Sequence, residues 1–283
     1  MSDADQALEQ ILRNKCQDGS NYDNLDLTGI SVSGVTFINA NLNKTNLNES
    51  ELVDIDFSRA NLQNTTFKKA KLKNVNFSTA NIKDTDFEEA TLLNCTFHNT
   101  SANNTNFASA KINTCDYKGC DLSYTNLYAA VVVNSDFSFA RLMYAFLKEI
   151  TINKSIMRGI NGRGTDLSFS KLTEVDLQGA SLKYADFNSC TLTNVKLSQA
   201  TLIGVEMKDS VCKAVDLEGS NMEGIDLTYA NMENANLQNT FLLESNLHGA
   251  NFTKANLNSS YLVDANIAKA ITAGANLENT ILE

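Results

Sequence analysis

From Leu27 to Leu282, every fifth residue falls in one unbroken phase, 52 positions in all. Ala60-Asn61-Leu62-Gln63-Asn64 shows the unit, and Ala80-Asn81-Ile82 and Ala250-Asn251-Phe252 repeat it. The central residue is Leu 27 times, Phe 10, Ile 4, Met 4 and Val 2, with Ala102, Tyr117, Gly162, Cys212 and Thr272 as exceptions. Two residues before every centre but the first, which follows Leu25, stands a small or β-branched residue. Neither position is ever charged, where random placement at 20% charge would put about twenty charges, so both are expected to be buried.

A period of five matches neither the 3.6 of a helix nor the 2 of a strand. A helix would spread the centres around its whole circumference. A chain that turns a corner every five residues points each centre inward, and four such sides close a square of twenty residues. The aromatic centres support this ruler. Phe37, Phe57, Phe77, Phe97, Tyr117 and Phe137 are twenty apart, and Phe67, Phe87 and Phe107 form a second series offset by ten. The absence of proline fits a chain in which each coil donates backbone N–H groups to the next. Asn and Asp before the centre suit tight turns and local side-chain hydrogen bonds.

This A-(N/D)-L-x-x unit, running from about residue 22 to the end, resembles that of the pentapeptide-repeat proteins. The resemblance implies an all-β fold, a right-handed quadrilateral parallel β-helix. About 13 coils at the inter-strand spacing would make a solenoid roughly 60 Å long.

Residues 1–20 are expected to form a short capping helix and a polar loop, with Leu8, Ile11 and Leu12 on one helix face. The β-helix is assigned to 21–283, with a weak joint near 157–164, where the consensus fades and Gly162 empties a centre; a tolerated irregular coil is the other reading. The pattern runs to the C-terminus without a cap, so the last coil is expected to be covered by a second copy or another partner.

A net charge of -10 argues against direct nucleic-acid binding. No membrane span and no signal-peptide pattern is found, and a cytoplasmic location is expected. Cys95, Cys115, Cys120 and Cys190 fall in the small slot and Cys212 at a centre, which reads as filler in a reducing compartment. The two histidines, His98 and His248, have no partner within reach. No zinc spacing or phosphate loop appears, so neither catalytic residues, metal nor cofactor is expected.

Exposed slots are mostly polar, and seven of the ten aromatics that break this rule lie between 124 and 184. They are Tyr124, Tyr128, Phe139, Tyr144, Phe146, Phe169 and Tyr184. Arg141, Met143, Arg158 and Arg163 accompany them. Tyr, Phe, Met and Arg together have the composition of a protein interface; a tyrosine ladder covering the sheet is the plainer reading. The expected function is a non-catalytic scaffold for a protein partner. From 206 to 283 there are 11 acids and four lysines. Some members of the resembled family confer fluoroquinolone resistance as DNA-shaped dimers that bind gyrase, which implies DNA mimicry as an alternative. This chain lacks the insertion loops and C-terminal helix of several of them. An end-to-end assembling structural element is the third expectation.

Overall fold

The computed structural model describes residues 3–282. It is an all-parallel β-solenoid with one N-terminal helix, and it divides into two compact units, Met1–Arg141 and Leu142–Glu283.

Each five-residue unit uses its positions in the same way. In Asn61-Leu62-Gln63-Asn64-Thr65, the Leu62 N–H donates to the Asn81 carbonyl of the next coil (2.8 Å), and Asn81 N–H donates back to Ala60 (3.0 Å). The Thr65 N–H closes the corner on the Leu62 carbonyl (3.1 Å), with Asn64 in the left-handed region at φ 57°. Asn suits that conformation, which most L-residues avoid. The first residue of the unit accepts from the third residue's N–H, as in Ser58 N–H to Asp56 Oδ1 (2.8 Å). Its own amide, when Asn, reaches one coil back: Asn61 Nδ2 donates to Asn41 Oδ1 (3.1 Å), and Asn81 to Asn61 (3.3 Å). Buried threonines satisfy their hydroxyls across the coil, as Thr65 Oγ1 does on the Leu42 carbonyl (2.6 Å). The uncharged fifth position is thus buried even where it is polar.

In the first unit, one wall carries the strands β1 (Ser31–Ser33), β2 (Glu51–Val53), β3 (Lys71–Lys73), β4 (Thr91–Leu93), β5 (Lys111–Asn113) and β6 (Val131–Val133). Consecutive strands pair in parallel with a twenty-residue register, Leu52 on Leu72 and Leu72 on Leu92. The core is aromatic. Phe77, Phe97, Tyr117 and Phe137 stack at centroid spacings of 4.7, 4.5 and 4.5 Å. The second column, Phe67–Phe87–Phe107, stacks at 4.8 and 4.9 Å and meets the first edge to face, as in Phe77–Phe87 at 5.9 Å. Both geometries are favourable for ring quadrupoles. The cysteines of the core are fillers: all are free thiols, and burial pushes Cys190 and Cys212 of the second unit up to about 12.

The helix α1 (Asp3–Arg13) buries Ala7 and Ile11, with Leu8 half-buried and Leu12 exposed. The buried stripe therefore lies one residue earlier than the expected Leu8–Ile11–Leu12 face. Pairing between coils begins at Cys16, bridged to Thr36, inside the segment expected as a polar loop. Gln17 explains why. It occupies a core centre, and its amide donates to the carbonyls of Gln10 (3.2 Å) and Asn14 (2.5 Å). It also accepts from the Tyr22 hydroxyl (2.6 Å). The Gln10 carbonyl already accepts from Asn14 N–H (2.9 Å), so the buried glutamine adds a second donor there and supplies the donor for the Asn14 carbonyl just past the helix.

In the second unit, β7 (Thr151–Asn153), β8 (Lys171–Thr173) and β9 (Thr191–Thr193) pair in the same register. Beyond them single bridges carry the twenty-residue step, from Thr191–Val211 to Tyr261–Ile281. Named strands are thus fewer than the expected coils, while the bridge register continues. The core here is aliphatic. At Gly162 an added Cβ would lie 2.8 Å from Leu182 Cδ2, so neighbours have moved into the vacated centre. What is left is a cavity of about 10 Å³ lined by Leu142, Leu147, Ile160, Thr165, Leu182 and others, at the lower limit for one water. In the last coil the centres Ile267, Leu277 and Leu282 are exposed, and a hollow of about 270 Å³ opens onto Phe252 and Leu262.

Candidate partner-binding surface

All seven aromatics singled out in the sequence are exposed, from Tyr128 at 37% to Phe139 at 71%. Five of them, Tyr124, Phe139, Tyr144, Phe169 and Tyr184, sit at the left-handed corner position, with φ from 56° to 62°. A bulky residue there carries backbone strain that Asn or Gly would relieve.

The eleven residues fall in both units. Tyr124, Tyr128, Phe139 and Arg141 belong to the first unit; Met143, Tyr144, Phe146, Arg158, Arg163, Phe169 and Tyr184 belong to the second. Within the second unit the twenty-residue register spreads them over three walls. Met143, Tyr144, Arg163 and Tyr184 share the wall that begins each coil at Asn161 and Ser181. Phe146 and Phe169 lie on the wall of Asp166 and Asp186, and Arg158 on that of Ile156 and Asp176. Arg158 is engaged by Asp176: Nη2 (2.6 Å) and Nε (2.7 Å) both donate to Oδ2. Burial opposes ionisation of Asp176, but the hydrogen bonds from Arg158 prevail and hold its carboxyl below the usual range.

The wall of Tyr144 and Tyr184 is the most ordered group. The Cδ1–Cε1 edge of each ring lies against a glycine one coil on: a Cβ on Gly164 would stand 2.7 Å from Tyr144 Cδ1, and one on Gly204 would stand 2.7 Å from Tyr184 Cδ1. Gly164 is therefore a seat for Tyr144 rather than a gap in a tyrosine column. The Arg163 guanidinium stacks 5.1 Å from the Tyr184 centroid, and on the next wall Lys148 Nζ lies 5.1 Å from that of Phe169. Sequence reasoning missed Lys183, which follows Arg163 by twenty, and the pair Tyr229–Gly249, where the same seat recurs at 2.5 Å. The signal was present: Gly follows Tyr at a distance of twenty in all three cases.

The wall of Phe146 and Phe169 also carries Asp166, Asp186, Glu206 and Asp226 in one column on successive coils. An Asn in this slot donates to an Asp one coil back, as Asn236 does to Asp216 (3.0 Å). Three acid-on-acid steps have no such donor. Burial, with Asp166 and Glu206 on either side, raises the Asp186 carboxyl above its usual value. Lys208 bridges Glu206 (3.4 Å) and Asp226 (3.5 Å).

The repeat is matched along most of its length by two family profiles. "Pentapeptide repeat region" covers residues 19–87 and 70–147, and "Pentapeptide repeats (8 copies)" covers 163–199, 206–242, 230–267 and 245–283. The chain is a pentapeptide-repeat protein. Among solved structures of this family it is similar to HetL from the cyanobacterium Nostoc, described as involved in heterocyst differentiation regulation. That match has 20% identity and a TM-score of 0.29, covering 100% of this chain and 98% of HetL. QnrB1, described as a plasmid-mediated fluoroquinolone resistance protein, matches at 15% identity with a TM-score of 0.26, covering 94% and 92%. Rfr23 from the cyanobacterium Cyanothece matches at 24% identity with a TM-score of 0.19, covering 45% of this chain and 91% of its own. No curated protein sequence matches. No described helix is long and apolar enough to cross a membrane.

Proposed function

We propose that this pentapeptide-repeat protein is a non-catalytic scaffold that binds a protein partner through the exposed aromatic and basic side chains of its second unit. The observation that carries the reading is the placement of Tyr144, Phe169 and Tyr184 at left-handed corners, with Tyr144 and Tyr184 seated on glycines. Positive φ is shared by the other corners of the repeat, but a glycine one coil on that leaves room for each ring holds Tyr144 and Tyr184 in place, and ordered exposed aromatics are the side chains that anchor protein interfaces. A reducing compartment such as the cytoplasm suits the six free thiols. The test is affinity capture from source-cell lysate with the wild type and with Tyr144→Asn/Tyr184→Asn. Loss of one captured protein with unchanged thermal unfolding is expected; equal capture by both overturns the reading.

A second reading, gyrase binding by DNA mimicry, is favoured by the acid column Asp166–Asp186–Glu206–Asp226, whose carboxylates recur every ~4.8 Å, somewhat longer than the ~3.4 Å step of phosphates along one DNA strand. It requires inhibition of gyrase supercoiling at micromolar protein, and no effect there removes it.

The exposed centres Ile267, Leu277 and Leu282 favour association of two copies through the last coil. Sedimentation should then show a dimer that Leu277→Glu converts to monomer. Continuous end-to-end stacking is disfavoured, because α1 covers the first coil.

A further inference from the structure

On the wall of Tyr144 and Tyr184, Arg163 and Lys183 occupy the same position on successive coils. Other cations stacked in this way meet an acid one coil away: Lys71 pairs with Glu51 (2.9 Å), Lys213 with Glu233 (2.7 Å) and Lys68 with both Asp86 (3.0 Å) and Glu88 (2.9 Å). Among the described residues, Arg163 and Lys183 form no ion pair. Their wall holds no Asp or Glu on the coils from Leu142 to Gly204, in a chain whose net charge is -10. Two cations without an acid partner thus share a wall with rings that are 50% and 56% exposed, Arg163 over the Tyr184 ring and Lys183 next to it in the chain.

We propose that this wall docks an extended acidic segment of a partner protein, an inference that rests on the scaffold reading above. Charge complementarity selects the sign of the occupant. Spacing selects its form. Tyr144 and Tyr184 are two coils apart, about 9.6 Å at the inter-strand distance, close to the ~9.3 Å repeat of a polyproline II chain. Arg163 and Lys183, one coil apart, reach carboxylates on either side of an apolar residue that rests on a ring. The column Asp166, Asp186, Glu206 and Asp226 on the adjoining wall repels the same segment and confines it to this one. Duplex nucleic acid would meet that column as well, and an anionic membrane calls for a larger cationic cluster.

The probe is a fluorescein-labelled twelve-residue peptide of alternating Glu and Pro, followed by anisotropy against the full chain at low salt. Its counterpart with Gln in place of Glu serves as the uncharged control. Saturable binding of the Glu–Pro peptide is expected, with weaker binding of the Gln–Pro peptide. Arg163→Gln/Lys183→Gln should weaken the Glu–Pro complex at least about tenfold, while Lys44→Gln/Lys83→Gln, in the first unit, leaves it unchanged. Thermal unfolding of each variant verifies folding. Absence of Glu–Pro binding, or equal binding by the Arg163/Lys183 variant, overturns the acidic-segment inference. If a lysate partner still depends on Tyr144 and Tyr184 in that case, the scaffold reading stands without it; if neither binds, both fall.

Discussion

The Cδ1–Cε1 edge of the Tyr184 ring lies against Gly204, twenty residues further along the chain, so close that a Cβ on Gly204 would stand 2.7 Å from Cδ1 and 2.8 Å from Cε1. The glycine does two things there: it adopts φ +62°, and it leaves room for the ring.

Gly204→Ala is expected to cost about 1–2 kcal/mol, the backbone penalty for Ala at positive φ plus displacement of the ring. Gly179→Ala, at φ +67° with nothing within 4 Å of the added carbon, reports the backbone penalty alone. In a Tyr184→Asn background the cost of Gly204→Ala should fall to that of Gly179→Ala. Urea unfolding of this double-mutant cycle measures the ring term. A coupling energy near zero would mean that the ring does not depend on its glycine.

Tyr117 is the one hydroxyl in a column of phenylalanines. Its ring stacks 4.5 Å from both Phe97 and Phe137, its oxygen has no hydrogen-bond partner among the described residues, and burial holds its pKa well above the usual value. Removing an unpartnered buried hydroxyl while keeping the ring should stabilise the protein by about 1 kcal/mol. Tyr117→Phe is expected to raise the urea midpoint without changing the slope. A lower midpoint would show that the hydroxyl has an ordered partner.

Much of the fold was legible because the period of five is a direct record of burial: centre and small slot are inside throughout both units until the last coil. The period of twenty likewise exposed the ring columns of the first core. Gln17 was not legible, since a polar residue at a core centre breaks the rule that identifies centres. Its reason lies in the Asn14 carbonyl at the end of α1 and the Tyr22 hydroxyl, which only the folded chain brings near. The aromatic surface was legible as a set of exposed rings but not as an arrangement. Residues close in sequence, such as Tyr144 and Phe146, face different walls, whereas Tyr184 and Gly204 touch across twenty. Arg158, expected among the partner-binding residues, is held by Asp176, eighteen residues on, a pairing that the sequence spacing does not display.

Gln17 makes a specific prediction of its own. Gln17→Leu keeps the volume of a core centre but strips the donor from the Asn14 carbonyl and the acceptor from Tyr22, while Gln10 keeps the Asn14 N–H. The loss is expected to be about 1–3 kcal/mol. Amide exchange should show it first in α1 and the Cys16–Thr36 rung, with the second unit unaffected. Uniform loss of protection along the chain would count against a local clamp.

The acid column sets a pH dependence of unusual sign. Asp186 has its folded pKa raised above the usual 3.8 by burial and by Asp166 and Glu206. The folded chain therefore binds this proton more tightly than the unfolded chain does. The resulting destabilisation is absent below the unfolded value and complete above the folded one. In Asp186→Asn, the side-chain oxygen can still accept from Asn188 N–H, and the new amide can donate to Asp166, as Asn76 does to Asp56 (3.1 Å). The variant should melt roughly 1–3 °C above wild type at pH 7. The difference should shrink as pH falls through the window just above 3.8, because wild-type Asp186 is then protonated. Asp176 provides the opposite sign: Arg158 holds its pKa below 3.8, so its stabilisation is present at neutral pH and lost as acid protonates it. Asp176→Asn should accordingly melt below wild type at pH 7 and approach it at low pH. Thermal melts of the three proteins from pH 3 to pH 8 decide the matter, and parallel curves for Asp186→Asn and wild type would show that the column's repulsion is screened by solvent.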